Sequence, residues 1–182
     1  MSMPNLSGRL AVGASLSLFA LSCPLAQPGP GLGTPVTEAD LAAWDISIQP
    51  DGDGLPAGSG DAATGAQIYA VKCVACHGVG GAGQPNDRLV GGQGTLTALA
   101  QVRTIGSFWP YASTVFDYIR RAMPFQAPQS LTNDEVYALT AYILAENGII
   151  DHDATMNART LARVEMPNRD GFILAYPQRT DR

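Results

Sequence analysis

With 182 residues, 11 lysines and arginines against 16 aspartates and glutamates, and a formal net charge of −5, the chain has the size of one small domain with extended flanks. No basic tract occurs along it, which excludes nucleic acid as a partner. It has 20 glycines and 13 prolines, with clusters at residues 27–37 and 50–60, so much of the chain is read as loop, stabilised by something other than regular packing.

The amino terminus carries Arg9, an apolar run over residues 10–21, and small and turn residues through Ala26, the three-part layout of a secretory leader. Residues 1–26 are therefore read as a signal peptide and the protein as periplasmic. The apolar run is shorter than the ~20 residues a spanning helix needs, and no later run is longer, so no transmembrane segment is expected. Cys23 stands directly behind the run, where a lipid anchor is one reading; the other is that it is discarded with the leader.

Residues 27–60 read as an extended amino-terminal arm. Within it, 38–44 predicts a short helix capped by Thr37, and 45–49 alternates as a strand does. Pro50-Asp51-Gly52-Asp53-Gly54 is a turn whose acidic spacing approaches that of a calcium loop but lacks the closing glutamate. No internal repeat is visible, which excludes a solenoid or a duplicated chain.

Residues 61–150 carry the helical signals of a domain. From Asp61, the apolar residues Ala66, Ile68, Tyr69, Ala70 and Val71 predict a helix running into Cys73. Residues 78–94 are rich in glycine, are interrupted by Pro85 and predict a loop. Helical periodicity returns over 109–123, through Tyr111, Val115, Phe116, Tyr118 and Ile119, and Pro124 stops it. The best-marked helix is 133–147, where Thr132 and Glu135 make a capping box, Val136, Leu139, Tyr142 and Ile143 form the apolar face, and Gly148 ends the element. Residues 151–182, with weak periodicity and with Pro167 and Pro177, predict a wrapping carboxy-terminal tail.

Cys73-Val74-Ala75-Cys76-His77 is the attachment pattern of haem c. Two thiols about one helical turn apart share a face and can add to the two vinyl groups of one haem, while the next residue offers an imidazole to the iron. Three other readings compete. A zinc site needs four ligands, and only Cys23 and His152 remain as further cysteine or histidine. A thioredoxin-type pair expects a βαβ setting, and a Cys73–Cys76 disulfide closes a small strained loop. The pattern thus points to one covalent haem with His77 as the proximal ligand. Met123, which ends a helix just before Pro124, is taken as the distal ligand; Met166, Met156, His152 or an open position are the alternatives. Arg88 and Arg103 are candidate partners of the haem carboxylates, and Trp109 and Tyr111 are candidate pocket residues. Tyr118 reads as core.

In this order, helix, attachment motif, glycine loop, methionine turn and final helix resemble a class I c-type cytochrome. Five further segments extend the resemblance over nearly all of the chain that follows the leader. They are residues 44–60 with Leu55-Pro56-Ala57-Gly58-Ser59-Gly60, Gly91-Gly92-Gln93-Gly94-Thr95-Leu96, Trp109-Pro110-Tyr111-Ala112, Asp117-Tyr118-Ile119-Arg120-Arg121-Ala122-Met123-Pro124, and Met166-Pro167-Asn168-Arg169-Asp170-Gly171-Phe172. With them the chain is similar to the cytochrome subunit of the periplasmic sulfane and sulfite dehydrogenases of thiosulfate-oxidising bacteria. The resemblance implies an all-α fold, a single cytochrome c domain with covalent haem and extended arms at both ends. It implies thioethers at Cys73 and Cys76, axial ligation by His77 and Met123, and an electron-transfer role instead of bond chemistry. The partners it implies are a molybdenum-cofactor dehydrogenase subunit as electron donor and a downstream cytochrome or oxidase as acceptor. Members of that family carry two haem motifs, whereas this chain has one. A freely diffusing carrier, or a haem sensor or enzyme with an open iron position, are the other functional readings.

Overall fold

The computed structural model describes residues 32–173 and 175–176, so the leader and Cys23 lie outside the described residues. The chain divides into Met1–Thr37 and a compact unit Glu38–Arg182, to which all the elements below belong. Among the described residues no helix is long and apolar enough to cross a membrane.

Helix α1 spans Glu38–Trp44, as its sequence predicts. Residues 45–49 do not form the expected strand. Their alternation does bury Ile48 in the core. The backbone bonds, however, go elsewhere: Gln49 N–H donates to the Asp53 carbonyl at 2.8 Å, and Arg121 Nη2 donates to the Ile46 carbonyl at 2.8 Å. Without a neighbouring strand, an alternating stretch is only an extended arm.

Helix α2, Ala62–Lys72, begins where Asp61 accepts the Thr64 N–H at 2.8 Å, a capping bond that holds the Asp61 carboxyl below its ordinary range. Its buried face is Ala62, Gly65 and Tyr69, whereas Val71, in the expected stripe, is 82% exposed. Small residues take the inside because α2 crosses the central helix α5, Asn133–Glu146, almost in backbone contact. A Cβ at Gly65 would stand 2.0 Å from the Ala138 carbonyl oxygen, and one at Gly60 would stand 2.3 Å from the Ala138 nitrogen. Volume at that face, more than hydrophobicity, selects the residue.

After α2 come the short helix α3, Val74–His77, and a 3₁₀ turn at Val79–Gly81. Helix α4 covers Ala112–Ala122, three residues shorter at its start than the periodicity predicts. Tyr111 is extended and serves as its N-cap position, and Met123 is extended at the other end, as a residue before proline tends to be. Phe116 of α4 packs on Tyr137 of α5 with ring centroids 4.4 Å apart. Burial pushes the Tyr137 phenol up to about 12, and its hydroxyl donates to the Pro56 carbonyl at 2.8 Å.

The α5 capping box is complete: Thr132 Oγ1 accepts the Glu135 N–H at 3.2 Å, and Glu135 Oε2 accepts the Thr132 N–H at 2.8 Å. Glu135 also meets Lys72 Nζ at 2.8 Å, joining the ends of α2 and α5. The Lys72 bond, then the Thr132 N–H, keep the Glu135 carboxyl below its ordinary value. A carboxylate stabilised in this way contributes fully above its unfolded pKa, and the contribution is lost as pH falls through the lowered folded value. Glu135→Gln, which keeps an acceptor but loses the charge, is expected to cost about 0.5 kcal/mol near pH 7, a partly exposed pair's worth. Urea titrations at pH 7 and pH 3 check this; the wild-type and variant curves should converge in acid.

Asn147 follows α5 and ties the glycine loop to it. Its Nδ2 donates to the carbonyls of Ile143 at 2.8 Å and Leu89 at 3.2 Å, and its Oδ1 accepts the Gly91 N–H at 2.9 Å. Gly148, at φ 65°, then takes the left-handed conformation that ends the helix.

The tail contains a strand that its composition did not announce. Strand β2, Thr155–Asn157, pairs antiparallel with β1, Ser59–Asp61, with Gly60 opposite Met156. Three residues are too few for a period-2 pattern to be read. Helix α6, Ala158–Leu161, follows, capped by Asn157, with Leu161 buried. The molecule is mostly helical, as expected, with this one ribbon added among the described residues.

Candidate haem site

α2, α3, α4, α5 and the loops between them enclose a cavity of about 540 Å³, within the ~300–1,000 Å³ of small-molecule and cofactor sites. Cys73, Cys76 and His77 line one part of it, and Met123, from the turn after α4, lines another. Leu139 and Ile143 of α5 and Val115 and Ile119 of α4 supply apolar wall. The helix crossing at Gly65 thus brings the attachment motif over the floor made by α5.

His77 is oriented by the chain itself. Its Nδ1 lies 2.9 Å from the Asp87 carbonyl oxygen, which places the proton on Nδ1 and leaves Nε2 with its lone pair free to bind a metal. Cys73 and Cys76 are free thiols, both partly buried. Burial, partly offset by the neighbouring Lys72, pushes the Cys73 thiol up to about 11, so it is kept protonated at neutral pH. Tyr69, buried against the same cavity, is likewise pushed up to about 12, first by burial and then by Cys73 and Tyr142. Its hydroxyl donates to the Gly78 carbonyl at 2.9 Å, which holds the glycine turn behind His77.

Arg88, Arg103 and Trp109 also line the cavity. Arg88 Nε donates to the Ala82 carbonyl at 3.1 Å, and the Arg103 guanidinium lies 5.2 Å from the Phe108 ring centroid. Tyr111 is not among the lining residues; its ring lies under the Arg169 guanidinium at 5.6 Å. Tyr118, expected in the core, is instead half exposed and lines the cavity, its ring edge-on to Trp109 at 5.6 Å. Phe125, at the rim and 79% exposed, was not singled out by any sequence signal. Of the alternative distal ligands, Met156 and Met166 are buried in the core cluster away from the cavity lining, and His152 is exposed.

The residues present fit a haem c. Two thiols, an imidazole with one free nitrogen and a thioether converge on one largely apolar cavity. Its charged lining residues, Lys72, Arg88 and Arg103 against Asp87, leave an excess of positive charge in an acidic chain, as a cofactor bearing two carboxylates requires. A helical domain with this site is a cytochrome c domain.

Comparison with known proteins gives the same class. A family model described as cytochrome c oxidase, cbb3-type, subunit III matches residues 60–143. The crystal structure of the sulfane dehydrogenase SoxCD from Paracoccus pantotrophus aligns at 43% identity over 84% of this chain and 74% of that chain, with a TM-score of 0.76. The thiosulfate dehydrogenase TsdBA from Marichromatium purpuratum aligns at 26% identity over 47% of this chain and 18% of that chain, with a TM-score of 0.35. No curated protein gives a match. The chain belongs to the c-type cytochromes, in the group that includes the cytochrome c subunit of sulfane dehydrogenase. Its function is electron transfer.

Proposed function

We propose that the chain is an exported, periplasmic cytochrome with one covalent haem c. It accepts electrons from a molybdenum-cofactor sulfane or sulfite dehydrogenase subunit and delivers them to a downstream cytochrome or oxidase. The observation that carries this reading is the convergence of Cys73, Cys76, His77 and Met123 on one cavity, with His77 Nδ1 already occupied by the Asp87 carbonyl. In it, Cys73 and Cys76 would hold the haem through thioethers, His77 Nε2 and Met123 would ligate its iron, and Arg88 and Arg103 would offset its carboxylates. Haem c supplies reversible one-electron chemistry. The chain fixes the imidazole tautomer, excludes water with the α4 and α5 walls, and anchors its ligand-bearing segments directly to helices α2 and α4, so that little has to rearrange.

Residues 61–150 make the cytochrome domain in this reading, and the arms at 27–60 and 151–182 bind the dehydrogenase subunit. A bound subunit is favoured over a free carrier by the large apolar side chains that the arms leave exposed: Trp44 at 86%, Ile173 at 94% and Tyr176 at 88%. The alignment with sulfane dehydrogenase supports the same choice of partner.

Two measurements test the reading. Optical spectra of periplasmically expressed protein, oxidised and then reduced, should show haem that survives acid–acetone extraction, and a molybdenum protein should co-purify from the host extract. Haem-free protein from cells competent in cytochrome maturation would sink the site assignment; a haem protein that purifies alone would leave a free carrier. Met123→Ala should also remove the low-spin spectrum, lower the reduction potential and admit carbon monoxide to the reduced protein. An unchanged spectrum would show that Met123 is not a ligand.

A further inference from the structure

One wall of the cavity is not backed by its own helix. Arg103, Thr104, Ile105 and Trp109 line the cavity from a stretch, residues 99–111, that contains no helix or strand. The glycine loop holds its first half, where the Val102 N–H donates to Thr95 Oγ1 at 3.0 Å and Thr104 Oγ1 donates to the Gly91 carbonyl; the carboxy-terminal tail grips its second half. Asn168 Nδ2 donates to the Phe108 carbonyl at 2.8 Å across 60 positions of sequence. The Phe172 ring stands edge-on to the Phe108 ring at 5.2 Å, and the Arg169 guanidinium lies over the Tyr111 ring at 5.6 Å. Trp109 therefore sits between two residues that the tail holds, Phe108 and Tyr111, and itself carries Tyr118 edge-on.

The tail is built to hold that grip. Met166 is buried in the core and roots it. Two successive turns follow, Arg169 N–H to the Met166 carbonyl and Gly171 N–H to the Asn168 carbonyl, both at 3.1 Å. A Cβ at Gly171 would stand 1.9 Å from Asn168 Oδ1, so a side chain there would push the asparagine amide from its place. Asn168 and Pro167 also line a smaller hollow of about 260 Å³ together with Gly106 and Ser107, beside the same wall.

We propose that residues 166–172 are a positioning clamp for Trp109: by holding Phe108 and Tyr111 they set how closely the 103–109 wall closes on the haem, and through water access they set its reduction potential. The inference rests on the haem reading above. Its physical basis is that an iron site's potential follows the polarity and solvent access of its pocket. A loosened wall admits water, which favours the more highly charged oxidised state and lowers the potential.

The test uses the full-length holoprotein. Asn168→Ala and Asn168→Leu both remove the amide donor, and the second keeps most of the side-chain volume without adding charge. Both are expected to shift the midpoint potential downward and to accelerate hydrogen exchange over residues 108–111 by roughly tenfold, as local opening there becomes easier. Thr132→Ala, which weakens the fold at the start of α5 without touching the wall, should leave the potential in place. A potential unmoved in both Asn168 variants, or moved equally by Thr132→Ala, overturns the proposal and leaves the tail a structural clasp. A wild-type protein without haem would overturn the haem reading instead.

Discussion

His77→Ala should yield a protein that loses its native iron spectrum and retains little haem after expression with the maturation machinery. Loss of a group that merely orients a metal ligand costs about 10–100-fold in metal affinity, and removing the ligand itself should cost at least that much. The expectation follows from how the imidazole is held: the Asp87 carbonyl engages Nδ1 at 2.9 Å, and no other histidine lines the cavity to replace Nε2. Pyridine haemochrome content per protein, measured beside the wild type, reads the effect. A variant with full haem content and an unchanged low-spin spectrum would show that His77 is not the proximal ligand. Such a result would also reopen the reading of Cys73 and Cys76, whose roles depend on the same geometry.

Gly65→Ala should destabilise the fold by about 3 kcal/mol or more, the upper end of overpacking costs and a large share of the ~5–15 kcal/mol by which a domain is stable. The sign is informative, because in an exposed helix interior the same change stabilises by about 1 kcal/mol. Here the added Cβ would meet the Ala138 carbonyl oxygen at 2.0 Å, its carbon at 2.6 Å and Tyr142 Cβ at 2.7 Å. Two of the three are backbone atoms, so no rotamer change relieves the clash, and α2 must move off α5. Because α2 leads directly into Cys73, that movement also displaces the attachment motif from the floor of the cavity. Chemical denaturation of the holoprotein measures the loss. A variant as stable as the wild type would mean that the two helices do not cross here.

Much of the site was legible without a structure because its chemistry is local. Cys73, Cys76 and His77 fall within five residues, and a spacing that short carries its geometry with it. The capping box at Thr132 and Glu135 was equally readable, since both of its bonds are made within one turn. Met123 ranks first by its place at a helix end before Pro124 with the capping-box helix still to follow, whereas Met166 shares only the following proline. In the packed chain Met166 is 3% exposed within the apolar cluster, while Met123 lines the cavity. The surroundings of Tyr111 and Tyr118 likewise depend on contacts that periodicity does not carry. α4 starts at Ala112, so Tyr111 stands before it with its ring under Arg169, while Tyr118 lies within α4, lines the cavity and packs edge-on to Trp109.

The sequence by itself determined the cofactor class, the order of the helices and the turns that separate them, because each depends on residues near one another along the chain. It did not determine which side of α2 faces inward, where β2 finds β1, or what supports the 103–109 wall. Those depend on residues tens of positions apart, such as Gly65 against Ala138, Gly60 opposite Met156, and Asn168 at the Phe108 carbonyl. Close approach of two backbones and a single long-range hydrogen bond leave no periodic mark in a sequence; only the packed chain brings such partners together.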